Sequence, residues 1–391
     1  MLLLKTYIGV YPWDLLDEGL DGVLDRLHGE VGVSGVVLWV GCPRLMQLRV
    51  RAVEPRIFRT RGGLFFQPSL DLYAGTRCKP IVSDQAKNRD PLAKISSACL
   101  ARGLEVRVML SAAATGRLAE RYPEMACKNV FGAGSQTSLC LCNSDVQAYL
   151  CALVADVSAR EGVGAVVLTD LVTSWSEAHS GSLSLAVPPG GTASSLLGLC
   201  FCESCQQKAS GAGVDVAMAH RWVQQTLQRC LDRGPVPVSG TGLDAPWTDH
   251  PPMVALDEWR VQEHSSLLRR LVEACRCELL LDRKPYEPEL SQQKHLDCTL
   301  PAGVMTRVDR ADQLSSAMCR TARRNELRLA ETLTASSNAP ELVRLFSQAT
   351  EQGFTGIQID HYGRLPDTTL TAIRQAVRIA RRTVGDGASP A

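Results

Sequence analysis

Long apolar runs are missing from this 391-residue chain. None approaches the roughly 20 residues that a helix needs to cross a bilayer. Excess charge of one sign is missing too. With 42 basic and 41 acidic side chains the net charge is +1, so no global field draws in nucleic acid or anionic lipid. Aromatic residues are scarce at 5%. No glycine-rich dinucleotide fingerprint follows a candidate strand, and neither a P-loop nor a G-x-S-x-G elbow occurs, which excludes the commonest nucleotide and serine-hydrolase signatures. The opening stretch MLLLKTYIGVYPW carries only three leucines before Lys5 and lacks the basic and longer apolar segments of a secretory signal.

Cysteine, by contrast, is abundant. Fifteen are present, an odd number without regular spacing. Reduced thiols, some of them on a metal, fit this pattern better than a disulfide framework, and the expected compartment is cytoplasmic. A hydrophobic content of 45% and a charged content of 21% are those of an ordinary soluble globular chain.

Short apolar runs alternate with amphipathic segments along the chain. Strands are expected in 5–13, 34–41, 104–112, 163–171, 277–285, 294–303, 325–333 and 353–363. Helical patterns occupy 257–275, 309–323 and 340–352, and a helix over 144–162 places Val146, Tyr149, Leu150, Leu153 and Val154 on one face. About eight strand–helix units, with nearly continuous apolar strands, point to a (β/α)8 barrel formed by residues 1–384 as one domain. Long insertions fall at about 42–90 and 172–215, and residues 385–391 read as a tail. An open doubly wound sheet is the competing fold.

In such a barrel, chemistry sits at the C-terminal ends of the strands. That rule selects Tyr11, Trp13, Trp39, Asp170, Asp282, Arg283, Asp297, Glu331, Asp360, His361 and Tyr362. Aromatic faces suit sugar rings, although core packing under a loop accounts for each of them separately and is the better reading for Phe65. Asp282 and Arg283 read as a strand-end ion pair or a ligand clamp. Asp360 is placed to bind a hydroxyl or to orient His361, with Tyr362 stacking on a ring. Glu177 and His179 read as a solvated loop pair.

The densest chemical signal is CFCESC. Cys200, Cys202 and Cys205 can converge on one tetrahedral zinc, leaving a fourth ligand to SLCLCNSD, which offers Cys140 and Cys142. A closed four-thiolate site is structural, and this one would pin the second insertion beside the barrel mouth.

The order of these parts resembles glycoside hydrolase family 42 β-galactosidases and, more loosely, family-10-like glycosyl hydrolase barrels. In family 42 a Cys-Pro-Asn-Ser-Pro segment opens a helix, a strand ending in Asn-Glu follows, and a Cys-x-Cys-x2-Cys cluster completes a zinc site. Here CNSD opens the helix, VVLTD ends the strand and CFCESC follows. The resemblance implies zinc on Cys142, Cys200, Cys202 and Cys205. It also implies a retaining two-carboxylate mechanism from strands four and seven, using Asp170 and Glu331. Thr169-Asp170 stands where the family has Asn-Glu, one methylene shorter. A carbohydrate or glycoside is the expected partner, without nucleic acid or membrane, and self-association is left open. The competing functions are a non-catalytic carbohydrate-binding barrel and a sugar isomerase or lyase with a metal on Asp360, His361 or Asp297.

Overall fold

The computed structural model describes residues 4–51, 54, 56–171, 175, 191–233, 249–283, 302–309, 311–316 and 324–386. Eight parallel strands close on themselves. They are β1 (Lys5–Val10), β2 (Gly35–Cys42), β3 (Glu105–Ser111), β4 (Val163–Thr169), β5 (Glu278–Arg283), β6 (Gly303–Val308), β7 (Asn325–Leu329) and β8 (Gly356–Ile359). Each strand pairs with its sequence neighbours, and β8 and β2 both pair with β1, so the sheet has no parallel edge left. The (β/α)8 barrel expected from the alternation is the observed fold, and the open sheet is not.

Alternation along the strands separates two cores. Val36, Leu38 and Val40 of β2, Val106, Val108 and Leu110 of β3, and Val166 and Leu168 of β4 point outward into one large apolar cluster under the helices. The intervening Val37 and Trp39, Met109, and Ala165 and Val167 point inward and meet Tyr7, Leu280 and Met305 in the lumen. Below this apolar layer lies an ionic one. Arg107 of β3 donates to both carboxylate oxygens of Glu326 on β7, at 3.0 Å for Nη2, and its guanidinium lies 3.5 Å from the Tyr7 ring centroid. The barrel is therefore filled from its foot to its middle.

The sixth strand differs from expectation. It is GVMTRV at 303–308, not the run at 294–303, most of which lies outside the described residues together with Asp297. Its β-branched Val304, Thr306 and Val308 carry the strand propensity. Gly303 opens it because a Cβ there would sit 2.4 Å from Leu280 Cδ2.

The first insertion folds as a two-stranded ribbon (Leu45–Leu48 with Ile57–Thr60) and a short strand, Gly63–Leu64, antiparallel to the end of β2. A further elaboration after β3, not anticipated from sequence, forms a second ribbon (Ala126–Lys128 with Gly134–Leu139). The second insertion contributes helices Gly191–Gly198 and Glu203–Gly211. The last helix continues to Asp386, slightly beyond the expected domain end. No described helix is long and apolar enough to cross a membrane.

Candidate active site and thiol cluster

At the rim, β7 and β8 present Arg328, Gln358 and Asp360, in register with one another through the Arg328–Gln358 pair. Arg328 is only 6% exposed and carries two carboxylates. Its Nε donates to Asp360 Oδ2 at 2.5 Å, and its Nη1 donates to Asp282 Oδ2 on β5. Burial works against the charge on Arg328, but the two carboxylates more than offset it and raise its pKa. The carboxylates themselves diverge. Burial raises both; at Asp360 the charge on Arg328 and a 2.7 Å hydrogen bond from Gln358 Nε2 prevail, holding it below the usual range. At Asp282 burial prevails over Arg328, so this carboxyl is the easier one to protonate.

Arg328 had no distinguishing mark within NELRL beyond being an arginine inside an apolar strand. The sequence reading left Asp282 and Arg283 as an ion pair or a ligand clamp, and Asp360 as a hydroxyl ligand or a support for His361. In the fold both carboxylates converge on Arg328.

Gly9 makes room for this cluster. A Cβ at that position would lie 2.7 Å from Asp360 Oδ1 and 3.4 Å from His361 Nδ1. His361 follows immediately, and burial lowers its pKa to about 3, so its ring is neutral at ordinary pH.

The aromatic residues divide into two roles. Tyr11 stacks on His361 at 4.6 Å and on Trp13 at 4.4 Å, and Trp13 stacks in turn on Phe58 at 4.3 Å. Both faces of Tyr11 and of Trp13 are thus covered by protein, and Trp13 donates its Nε1 to Gln47. These two rings, expected to bind ligand, instead buttress the rim. Trp39 meets Tyr11 and His361 only at an angle, 5.8 Å away in each case, with Arg328 over its ring. Tyr362, also expected at a ligand ring, is fully buried. Its hydroxyl bonds to Glu18 and Arg26, and Arg51 lies over its ring. Packing on the first helical layer won over exposure at the rim.

Asp170 closes β4 in an unusual conformation. It is the one described non-glycine residue with positive φ, at 55°. Ser111 Oγ of β3 and Thr169 Oγ1 both donate to its Oδ2, at 2.7 and 2.8 Å. The side chain is exposed, and its Oδ1 has no hydrogen bond among the described residues. Left-handed backbone at an aspartate is sparsely populated and clusters where function holds it. Asp282 is close enough for the Asp170 charge to help raise its pKa.

Glu331 is the first residue of helix Glu331–Ser336, directly after β7 and its N-cap Ala330. Its side chain lies outside the described residues, as do Glu177 and His179.

Four buried atoms at this rim have no hydrogen-bond partner among the described residues: Trp39 Nε1, Asp282 Oδ1, Gln358 Oε1 and His361 Nδ1. Buried polar atoms are rarely left in that state. One donor, two obligate acceptors and a neutral imidazole nitrogen make a set suited to a neutral ligand rich in hydroxyl groups.

Beside the barrel, the second insertion builds its own small core around cysteines. The thiols of Cys140, Cys200, Cys202 and Cys205 all lie within 4.8 Å of one another and are buried, an arrangement that can hold a metal ion. A tetrahedron with metal–sulfur bonds of about 2.3 Å has edges near 3.8 Å, and the Cys140–Cys205 separation is 3.4 Å. The fourth member is Cys140, not Cys142. The latter is buried alongside, where Cys140, Cys205 and His264 hold its thiol pKa down. The reason is local: Asn143 caps helix Ser144–Ser158 through the Asp145 and Val146 amides, so Cys142 sits at the helix entry. The loop is tied down on three sides. Phe201 N donates to Lys128 O at 2.6 Å, Asn143 Nδ2 to Ser204 Oγ at 2.9 Å, and buried Arg260 to Cys200 O.

No family model matches the chain, and no curated protein matches it in sequence. Solved structures do match. The catalytic domain of a β-amylase from Paenibacillus polymyxa superposes with a TM-score of 0.57 at 10% identity, covering 96% of this chain and 98% of that one. This chain shares its fold with glycoside hydrolases. A β-galactosidase from the haloarchaeon Halorubrum lacusprofundi gives 0.58 at 9% identity, and the GH42 β-galactosidase Gan42B from G. stearothermophilus gives 0.54 at 11%. Coverage of this chain is 97% and 98%, but it spans only 58% and 57% of those two proteins. It likewise spans 51% of an α-L-fucosidase from Paenibacillus thiaminolyticus. At such identities the likeness establishes the barrel alone.

Proposed function

We propose that this protein is a glycoside hydrolase acting by a retaining two-carboxylate mechanism, with Asp170 as acid/base and Glu331 as nucleophile. The observation that carries the reading is the set of unpartnered buried polar atoms around Arg328, beside a strained and otherwise accessible Asp170. Asp282, Gln358, His361 and Trp39 receive the hydroxyls of one sugar unit. Asp282 and Asp360 fix Arg328, and Arg328 keeps Asp282 aimed at the ligand. Ser111 and Thr169 hold one oxygen of Asp170 and leave the other to give its proton to the glycosidic oxygen. The carbohydrate-binding solved structures are in keeping with a sugar ligand.

The same oxygen of Asp170 would then draw a proton from water as it attacks the glycosyl–enzyme ester on Glu331, returning both carboxyls to their starting states. The four thiols Cys140, Cys200, Cys202 and Cys205 hold a structural zinc that takes no part in these steps. When bound, the ion supplies cross-linking of the loop that follows β4. The assigned compartment is the cytoplasm, where such thiols stay reduced.

The test is turnover on a panel of 4-nitrophenyl glycosides by the wild type and Asp170→Asn. A loss of about 10²–10⁴-fold is expected on removing a general acid/base. Unchanged turnover removes Asp170 from the mechanism. No turnover of any glycoside by the wild type, with sugar binding retained, leaves the non-catalytic carbohydrate-binding barrel.

A further inference from the structure

A surface ribbon ordinarily packs its apolar face inward and shows water its polar one. The ribbon Leu45–Leu48 with Ile57–Thr60 does the reverse. Its Gln47 accepts from Trp13 Nε1 at 2.9 Å and donates to Asp14 Oδ1 at 3.1 Å. Buried Arg49, just past the first strand, pairs with Asp17 and lies over the Phe58 ring. Alternation then turns Met46, Leu48 and Ile57 outward, with Leu48 directly opposite Ile57 and Met46 opposite Arg59. Met46 is 67% exposed, Leu48 65%, Ile57 53% and the nearby Val50 40%. These are four of the eleven large apolar side chains exposed among the described residues, more than any other element presents.

Positive charge gathers on the same ribbon. Residues 44–61 hold six arginines against one glutamate, in a chain whose net charge is only +1. Arg44, Arg56, Arg59 and Arg61 are exposed, and neither Arg44 nor Arg59 has an ion-pair partner among the described residues. The anchored inner face holds the ribbon in place, so its outward side chains are presented rather than folded away. We propose that this outer face docks on an anionic lipid surface, with Met46, Leu48, Val50 and Ile57 entering between the headgroups while Arg44, Arg56 and Arg59 meet their negative charges. This assignment does not rest on the carbohydrate reading.

The chemistry of the face selects this occupant. Aliphatic side chains standing among arginines match acyl chains beneath acidic headgroups, where apolar burial and electrostatic attraction add. A second copy seated across a two-fold axis would set these arginines near the same arginines of its partner. Single-stranded nucleic acid stacks on aromatic rings, and the one aromatic residue of the stretch, Phe58, faces inward against Trp13 at 4.3 Å. Tight protein interfaces centre on aromatic or arginine anchors seated in pockets, whereas here the apolar side chains stand out from a sheet face. The near-neutral chain as a whole exerts no pull on lipid; the basic excess is local, and docking of this kind needs no membrane-crossing helix.

The experiment sediments full-length protein with vesicles of phosphatidylcholine alone and of phosphatidylcholine with an equal part of phosphatidylserine. We expect binding to the anionic vesicles only, and its loss as salt shortens the screening length from about 10 Å at 0.1 M to about 3 Å at 1 M. Arg44→Ala and Arg59→Ala should each weaken binding about five-fold, and Leu48→Ser about ten-fold. Leu231→Ser, which removes a comparably exposed leucine from another element, should leave binding unchanged. No binding to anionic vesicles at low salt, or equal binding to both kinds that the ribbon variants leave unchanged, overturns the proposal. So does a dimer that Leu48→Ser turns into a monomer, which makes a second copy the occupant. Capture of an acidic peptide that Arg59→Ala abolishes, in protein that ignores vesicles, assigns the face to a protein partner instead.

Discussion

Arg328→Met tests whether the rim is organised by one buried cation. The substitution keeps the length and apolar stem of the side chain but leaves Asp282 and Asp360 without their shared partner. Removing one member of a buried ion pair typically costs about 3–5 kcal/mol. A carboxyl left buried can escape by taking a proton. With an unfolded pKa near 3.9, that escape costs about 4 kcal/mol at pH 7 and about 1.5 kcal/mol at pH 5.

Asp360 retains the Gln358 hydrogen bond, whereas Asp282 retains none among the described residues, so Asp282 should be the group that protonates. Its folded pKa in the variant lies above the unfolded value. Stability therefore rises as pH falls from that folded pKa towards the unfolded value. The deficit relative to wild type, measured by urea unfolding, should be about 3–5 kcal/mol at pH 7 and smaller at pH 5, by at most about 2.7 kcal/mol because Asp282 is already raised in the wild type. Arg328→Lys should fall between, since one ammonium cannot reproduce the fork. A deficit below about 1 kcal/mol, the range of exposed pairs, or one identical at both pH values, refutes the assignment of Arg328 as the organising charge.

The other expectations concern single residues. His361 is neutral in the fold down to a pKa of about 3, so its contribution is present above pH 6.5 and is lost as pH falls towards 3. The slope is about 1.4 kcal/mol per pH unit, and urea titrations of His361→Asn between pH 6 and 4 should lack it. Gly9→Ala drives a Cβ against Asp360 Oδ1; a loss of about 1–3 kcal/mol by thermal unfolding is expected, and no loss would mean the rim repacks freely. Asp170→Gly relieves the positive φ and should unfold up to about 1 kcal/mol later while hydrolysing no aryl glycoside. Metal analysis of freshly reduced protein should find one zinc per chain in the wild type and in Cys142→Ser but none in Cys140→Ser.

The barrel was legible because its strands are buried on both faces and read as short apolar runs. The sixth was placed too early because HLDCTL also reads as an apolar run; it is the pairing of Gly303–Val308 with β5 and β7 that fixes its place. Asp170, Asp282 and Asp360 were found from their positions at strand ends. Arg328 was missed because its meaning lies in two partners 46 and 32 residues away. Tyr11 and Trp13 were misassigned for a related reason: a sequence shows an aromatic residue near a mouth but not the ring already lying on each of its faces. Cysteine spacing located the thiol cluster, yet the choice between Cys140 and Cys142 depends on which one the start of helix Ser144–Ser158 turns towards the others.

Covalent trapping tests the two-carboxylate reading most directly. Incubation with a 2-deoxy-2-fluoro glycoside carrying a good leaving group slows breakdown of a glycosyl–enzyme, which peptide mass mapping then locates. We expect one sugar per chain, on the peptide containing Glu331, and the same adduct in Asp170→Asn, because a good leaving group departs without a proton from Asp170. Turnover of the parent glycoside without any adduct, or an adduct on a different carboxylate, contradicts the assignment.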